Sequence, residues 1–349
     1  MKCRSCNKEE FLEFISLNSQ PPANAFLKES DFDKEVLYPL DVTCCRNCFL
    51  VQLTDESYIP RDKLFLDYAY ASSISGGLRN HFTELADKIK SEFNPKIVVD
   101  IGSNDGVLLK PLLELGCEAI GVEPAGNLAK QANDKGLETI CSYFDKYTVD
   151  KIISEKRKAD IVVASNVFAH SDKLKLMAKC MLKLIKKDGT IIIEVQYLMD
   201  TLKDVTFDNI YHEHYNYWSL TSLVNFFNNL SGKIYRVEKL DNHGGSIRVY
   251  VKKNNKVKIE KSVKELLKQE EKFGIKKYQT YKDFAKKVYK IRDNVKKNIS
   301  KLTKNNNKII GYGSPAKATT ALNFFGISNE IECIIEDNKL KQGKFLPGM

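Results

Sequence analysis

Short continuous apolar runs recur along the middle of this chain, separated by polar turns and by segments with helical spacing. Four of them, Ile97–Asp100, Ala119–Val122, Ile161–Ala164 and Thr190–Val195, are rich in β-branched residues. Runs of this kind predict strands buried on both faces, as in a parallel sheet covered by helices. Residues 97–235 therefore read as an α/β unit, with a long loop from about Met199 to Ser219 after its fourth strand. Residues 56–95 read as helical. A further strand is expected at Ser246–Val251. Beyond it, Phe284, Val288, Ile291, Val295, Ile299 and Leu302 are spaced by 3 or 4 and make one apolar helix face. The chain then repeats a strand–glycine-turn–helix at Ile309 to Lys317, with a next strand at Ile331–Glu336. Two strands cannot bury both faces of a parallel sheet, so this last domain is expected to be incomplete at Met349.

The turn after the first of these strands carries the sharpest chemistry. Val98-Val99-Asp100-Ile101-Gly102-Ser103-Asn104-Asp105-Gly106 leads into Val107-Leu108-Leu109-Lys110. A strand, a glycine turn and a helix hold a nucleotide-like ligand outside the strand ends of a doubly wound sheet. Gly102 allows close backbone approach to the ligand, Gly106 completes the turn at the cofactor, and Asn104 tolerates a left-handed conformation. Glu123, at the end of the second strand, can accept the two hydroxyls of a ribose. Asp100 chooses between cofactors. It would repel the pyrophosphate of a dinucleotide and welcome a cationic ligand with an amino acid tail. S-adenosylmethionine (SAM) has that tail, a sulfonium and a ribose. Asn166, after the third strand, falls at the same edge.

Charge changes the picture less than its total suggests. The net charge of +10 comes from residues 251–308, where 20 Lys/Arg face 6 Asp/Glu; the remainder holds 35 against 39. A lysine-rich solvated helix face accounts for this better than a nucleic-acid patch. No segment approaches the eighteen apolar residues of a membrane span, and Met1-Lys2-Cys3-Arg4-Ser5-Cys6 shows no apolar stretch of a secretory signal. Nine cysteines without such a signal suit reduced thiols in the cytoplasm. Cys3 and Cys6, with Cys45 and Cys48, form two C-x₂-C knuckles, the pattern of a closed four-thiolate structural zinc site. The segment they bracket is too small to fold on its own core.

Proton-moving groups cluster in Asp208 to Tyr215, the stretch Asp-Asn-Ile-Tyr-His-Glu-His-Tyr, at the carboxyl edge of the sheet. Tyr211 and His214, three apart, can share one face of a helical turn, with His212 and Glu213 pointing elsewhere. His170, in Asn166-Val167-Phe168-Ala169-His170, follows the third strand and can reach the same edge.

The order of these features resembles a known family, SAM-dependent C-methyltransferases acting on nucleotide-activated keto-deoxysugars. Besides the cysteine pairs, the matching residues include Pro21-Pro22-Ala23-Asn24, Tyr70-Ala71-Ser72-Ser73, Tyr211-His212-Glu213-His214, His243-Gly244-Gly245-Ser246-Ile247-Arg248 and Gly311-Tyr312-Gly313. The resemblance covers essentially the whole chain. It implies a zinc-binding domain at 1–55, a helical connection at 56–95, a central Rossmann-like class I methyltransferase domain at 96–235 and a C-terminal Rossmann-like domain at 236–349. It also implies a nucleotide-sugar held between the last two domains, with His214 as base and Tyr211, Glu213 and Tyr70 around the sugar. Family members run further past Pro347-Gly348. The expected protein is cytoplasmic, a monomer or weak homo-oligomer, with no nucleic-acid or membrane partner. A sugar O-methyltransferase is the nearest rival. A zinc-ribbon module on an inactive Rossmann scaffold, binding nucleic acid, is the reading from another class.

Overall fold

A computed structural model describes residues 1–65, 71–253 and 256–349. The N-terminal strands β1 (Phe11–Gln20), β2 (Tyr38–Cys45) and β3 (Val51–Leu53) pair antiparallel in that order. Leu40, Val42, Leu50 and Leu53 are buried beneath them. The helical connection follows as Arg61–Phe65, a 3-10 turn at Ser72–Ile74 and the helix Gly76–Phe93.

The central sheet opens with β4 (Ile97–Ile101), β5 (Glu118–Glu123) and β6 (Thr139–Cys141), each parallel to the one before and stepping outward. The chain then crosses back to place β7 (Ala159–Ser165) on the other side of β4, with β8 (Ile185–Gln196) parallel beyond it. Strand order reverses at β4 and β7, and ligands of open α/β sheets bind in the crevice at such a point. Residues Ile97 to Ile101 are buried throughout, as the continuous β-branched run predicts.

Past β8 the structure departs from the sequence reading in three places. The expected long loop from Met199 contains a helix, Leu198–Asp204, a 3-10 turn at Phe207–Asn209 and β9 (Asn216–Tyr217). These elements are too short to show a period. The strand β9 leaves the central sheet altogether and pairs with β3 of the N-terminal sheet. The central sheet also continues beyond residue 235. Its last members, β10 (Lys233–Leu240) and β11 (Ser246–Lys252), form a hairpin that adds antiparallel to β8. The segment expected to open the C-terminal domain thus completes a seven-stranded sheet.

The C-terminal part holds the helices Lys261–Phe273 and Tyr278–Lys304, then β12 (Ile309–Tyr312) and β13 (Ile331–Ile335), a parallel pair. The helix Ala316–Phe325 lies between them in sequence. The apolar stripe of the long helix is buried through Val288 and emerges toward Leu302. Among the described residues no helix is long and apolar enough to cross a membrane.

Candidate active site

The four knuckle cysteines converge. Their sulfurs all lie within 4.8 Å of one another, with Cys3 to Cys48 and Cys6 to Cys45 each at 3.5 Å. A tetrahedron of thiolates around zinc has edges of about 3.8 Å, from a metal–sulfur distance of about 2.3 Å. None of the four is in a disulfide. Hydrogen bonds from Cys3 and Cys48 pull the Cys45 thiol well down, while Cys45 and then Cys48 push the Cys3 thiol up. So many sulfurs this close share protons unless a cation replaces them, and the donor set fits zinc. Cys44 points elsewhere: burial pushes its thiol up to about 12, against Tyr281.

A cavity of about 540 Å³ opens where strand order reverses. Asp100, Gly102, Asn104, Glu123, Asn166, His170, Tyr211 and His214 all line it. Asp100 is 4% exposed, and burial, then Glu123 and Glu194, push its carboxyl well above the ordinary range. Among the described residues no hydrogen-bond donor meets it. A cationic ligand relieves this arrangement, and so SAM fits the turn. Glu123 keeps acceptor capacity at the cavity wall. Each oxygen already accepts one backbone N–H, Oε2 from Asn104 and Oε1 from Ala125, both at 2.9 Å, which leaves a second acceptor direction on each. Asn104 adopts φ 53° and Asn166 φ 58°, both left-handed.

Packing also demands glycine at both positions of the turn. At Gly102, φ 65°, a Cβ would stand 2.3 Å from Val167 Cγ2. At Gly106, φ 84°, it would stand 2.4 Å from Leu137 Cδ1, and Gly106 lies outside the cavity lining. The turn is also held from above. Ser72 N–H donates to Asn104 Oδ1 at 2.8 Å, and Ser73 donates to Asp105 through both N–H and Oγ.

The histidine loop divides as its spacing predicts. His214 is 5% exposed, and its Nδ1 lies 2.8 Å from the Asn209 carbonyl. A carbonyl only accepts, so Nδ1 carries the hydrogen and Nε2 holds the lone pair in the neutral ring. The Tyr211 ring packs on the imidazole at 4.0 Å between centroids, and the His170 ring meets it edge-on at 4.8 Å. Burial lowers the His170 pKa to about 4 and keeps that ring neutral. His212 turns away and donates from Nε2 to the Pro39 carbonyl at 3.0 Å. Glu213, 2% exposed, lies behind the cavity wall and accepts from Asn24 Nδ2 at 2.5 Å. Tyr70 falls outside the described residues.

Sequence reasoning missed several wall residues. Asn24 comes from the N-terminal domain, Arg61 from the helical connection, and Lys317 and Lys341 from the C-terminal part. Arg61 stacks its guanidinium on Tyr143 at 3.9 Å, and Lys341 donates to the Ser314 carbonyl at 2.6 Å. Two of them lay in motifs the sequence offered, Asn24 in Pro21-Pro22-Ala23-Asn24 and Lys317 at the end of the second strand–glycine-turn–helix.

Comparison with known proteins agrees with this architecture. Family models match a zinc binding domain at residues 3–65, a methyltransferase domain at 70–230 and a C-methyltransferase C-terminal domain at 241–349. The C-methyltransferase NovU of Streptomyces niveus is 34% identical over 353 aligned residues, covering 99% of this chain and 84% of that relative. A ubiquinone biosynthesis O-methyltransferase of Rattus norvegicus is 28% identical over 101 residues, 28% of this chain and 29% of its own. Among solved structures, magnesium protoporphyrin IX methyltransferase from Synechocystis with bound SAH covers 50% of this chain and 83% of its own. Its TM-score is 0.40 at 14% identity. The full-length match and the three domain models in chain order show that this chain belongs to the C-methyltransferase family, SAM-dependent enzymes with an N-terminal zinc-binding domain.

Proposed function

We propose that the enzyme methylates a carbon next to a ketone on a nucleotide-activated deoxysugar, through an enolate made by His214. The observation that carries this reading is the His214 tautomer: Nδ1–H is committed to the Asn209 carbonyl at 2.8 Å, in a residue that lines the cavity. Carbon is a poor nucleophile until a neighbouring ketone acidifies its hydrogen. His214 Nε2 takes that proton, and the C–H electron pair moves toward the ketone oxygen. Tyr211, in the same wall, can donate to that oxygen as charge grows on it. His170 stays neutral and adds no competing positive charge.

SAM, when bound, supplies an electrophilic methyl on a sulfonium whose thioether leaves. Asp100 and Glu123 hold its charged tail and ribose. The remaining contribution of the chain is to hold the reacting partners at contact and keep water out. A zinc held by Cys3, Cys6, Cys45 and Cys48 would keep no open position, so its role would be structural. The diphosphate of an activated sugar matches the cavity edge where Lys317 and Lys341 stand, beside the N-terminus of the helix Ala316–Phe325.

The test is isotope exchange. With SAH in the cofactor site, the enzyme is expected to exchange the substrate's α-hydrogen with deuterated water. His214→Ala is expected to lose exchange and methylation by about 10²–10⁴-fold, the usual contribution of a general base, with SAM affinity retained. A methyl found on oxygen by product NMR, with no deuterium in carbon, would replace this reading by the O-methyltransferase.

A further inference from the structure

Asn24 belongs to no element of the methyltransferase sheet, yet it stands in the cavity wall. It lies four residues past β1, in a turn held from two sides. Gln20 Nε2 donates to the Leu17 carbonyl at 2.8 Å and to the Thr320 carbonyl at 3.4 Å. Thr319 Oγ1 donates to the Ala23 carbonyl at 2.9 Å, and Thr320 Oγ1 donates to the Ile210 carbonyl at 3.2 Å. Neighbouring residues of one helix therefore grip the Asn24 turn and the start of the histidine loop together.

The side chain closes the link. Asn24 Nδ2 donates to Glu213 Oε1 at 2.5 Å, and Glu213 is 2% exposed. A carboxylate only accepts, so the carboxamide must present its NH₂ there. Glu213 directly precedes His214, and its backbone meets the His170 ring. Glu213 is thus bonded to Asn24 through its side chain and to His170 through its backbone, and it is the chain neighbour of His214.

We propose that Asn24 is a positioning residue of the reaction, supplied by the N-terminal domain to the substrate half of the site. Its carboxamide holds Glu213, and through Glu213 it aims His214. The SAM half of the cavity, built on β4 and β5, does not depend on it. The inference rests on the reading that His214 faces the substrate. A base displaced by a fraction of an ångström loses rate, because proximity and orientation carry much of the barrier reduction.

Two variants of the full-length, zinc-loaded protein test it. Asn24→Asp keeps the shape and sets a carboxylate against a carboxylate; Asn24→Ala removes the donor. Calorimetric SAM affinity within about twofold of the parent would show an intact fold and cofactor half. Nitrogen NMR of the histidine rings needs no sugar. The His170 and His214 signals are expected to move in both variants, while His81, paired with Glu194 at 2.7 Å, stays. Unmoved His170 and His214 signals overturn the proposal. With SAM and a nucleoside-diphosphate keto-deoxysugar, kcat is expected to fall about 10–100-fold, by more than KM rises. A kcat within about twofold in both variants also overturns it. If the parent binds SAM and leaves this sugar unmethylated, the proposed substrate is what fails, and the NMR result decides Asn24.

Discussion

Asp100 is a buried carboxylate with Glu123 and Glu194 as charged neighbours, and no donor among the described residues relieves it. An ion in that position costs several kcal/mol unless a cation joins it. Glu123, by contrast, is held by two backbone N–H groups and offers its remaining lone pairs to the cavity. Glu123→Ala is therefore expected to weaken SAM binding at least about tenfold, since each hydrogen bond to a charged group is worth about 1.5–3 kcal/mol. Calorimetry with SAM checks this, and unchanged affinity would remove Glu123 from the ribose. His170 gives a pH dependence. Its ordinary value is 6.5, and burial lowers it to about 4. Between those values the unfolded chain binds a proton that the folded one refuses, so stability falls as pH drops through that window. The melting temperature of His170→Asn is expected to fall less steeply from pH 6.5 to 4 than that of the parent. Equal slopes would show that His170 is not the group responsible.

At the scale of elements, the glycine turn is half of a clamp. The 3-10 turn Ser72–Ile74 bonds to Asn104 and Asp105, and the helix that follows is capped by Ser75 and tied to β8 through His81 and Glu194. Leu78 and Phe82 of that helix line the cavity. Asp105 is 2% exposed, lies outside the cavity lining and accepts from Ser73. Asp105→Ala would strip Ser73 of its acceptor and leave Lys135, 3.5 Å away, without its carboxylate. SAM affinity is expected to fall about tenfold with a loss of about 1.5–3 kcal/mol of stability. Denaturant unfolding and a SAM titration read the two effects separately. A variant as stable as the parent would show that the helix docks by its apolar face alone.

At the scale of the molecule, the zinc-binding domain is tied through its backbone to the histidine loop of the cavity wall. The strand β3 begins three residues after Cys48 and pairs with β9, two residues beyond His214. Arg4, between the first two cysteines, donates to the carbonyls of Leu53 at 2.8 Å and Tyr215 at 3.4 Å. Metal binding supplies folding free energy to small domains of this kind. Cys48→Ser is expected to bring zinc well below one per chain and to lower the melting temperature by several degrees. Methyl transfer is expected to fall with it, because β9 leads directly out of the histidine loop. Full zinc occupancy in that variant would refute Cys48 as a ligand.

The sequence by itself determined whatever is encoded over a few neighbouring residues. The run Ile97–Asp100, the turn through Gly106 and the paired C-x₂-C knuckles are legible because strand burial, turn geometry and metal-ligand spacing are local constraints. The same holds in part for the histidine loop, where the three-residue spacing brings Tyr211 and His214 together across one turn, while the Pro39 carbonyl holds His212 away. Tertiary structure alone decided what depends on closure between distant segments. It put β9 in the zinc-domain sheet and the hairpin β10–β11 in the central sheet, choices made by which unpaired edge each segment meets. It brought Asn24 to Glu213 across 189 positions of chain. It also assigned the proton on His214, because the Asn209 carbonyl that fixes the tautomer comes within reach only once the loop has folded over the sheet.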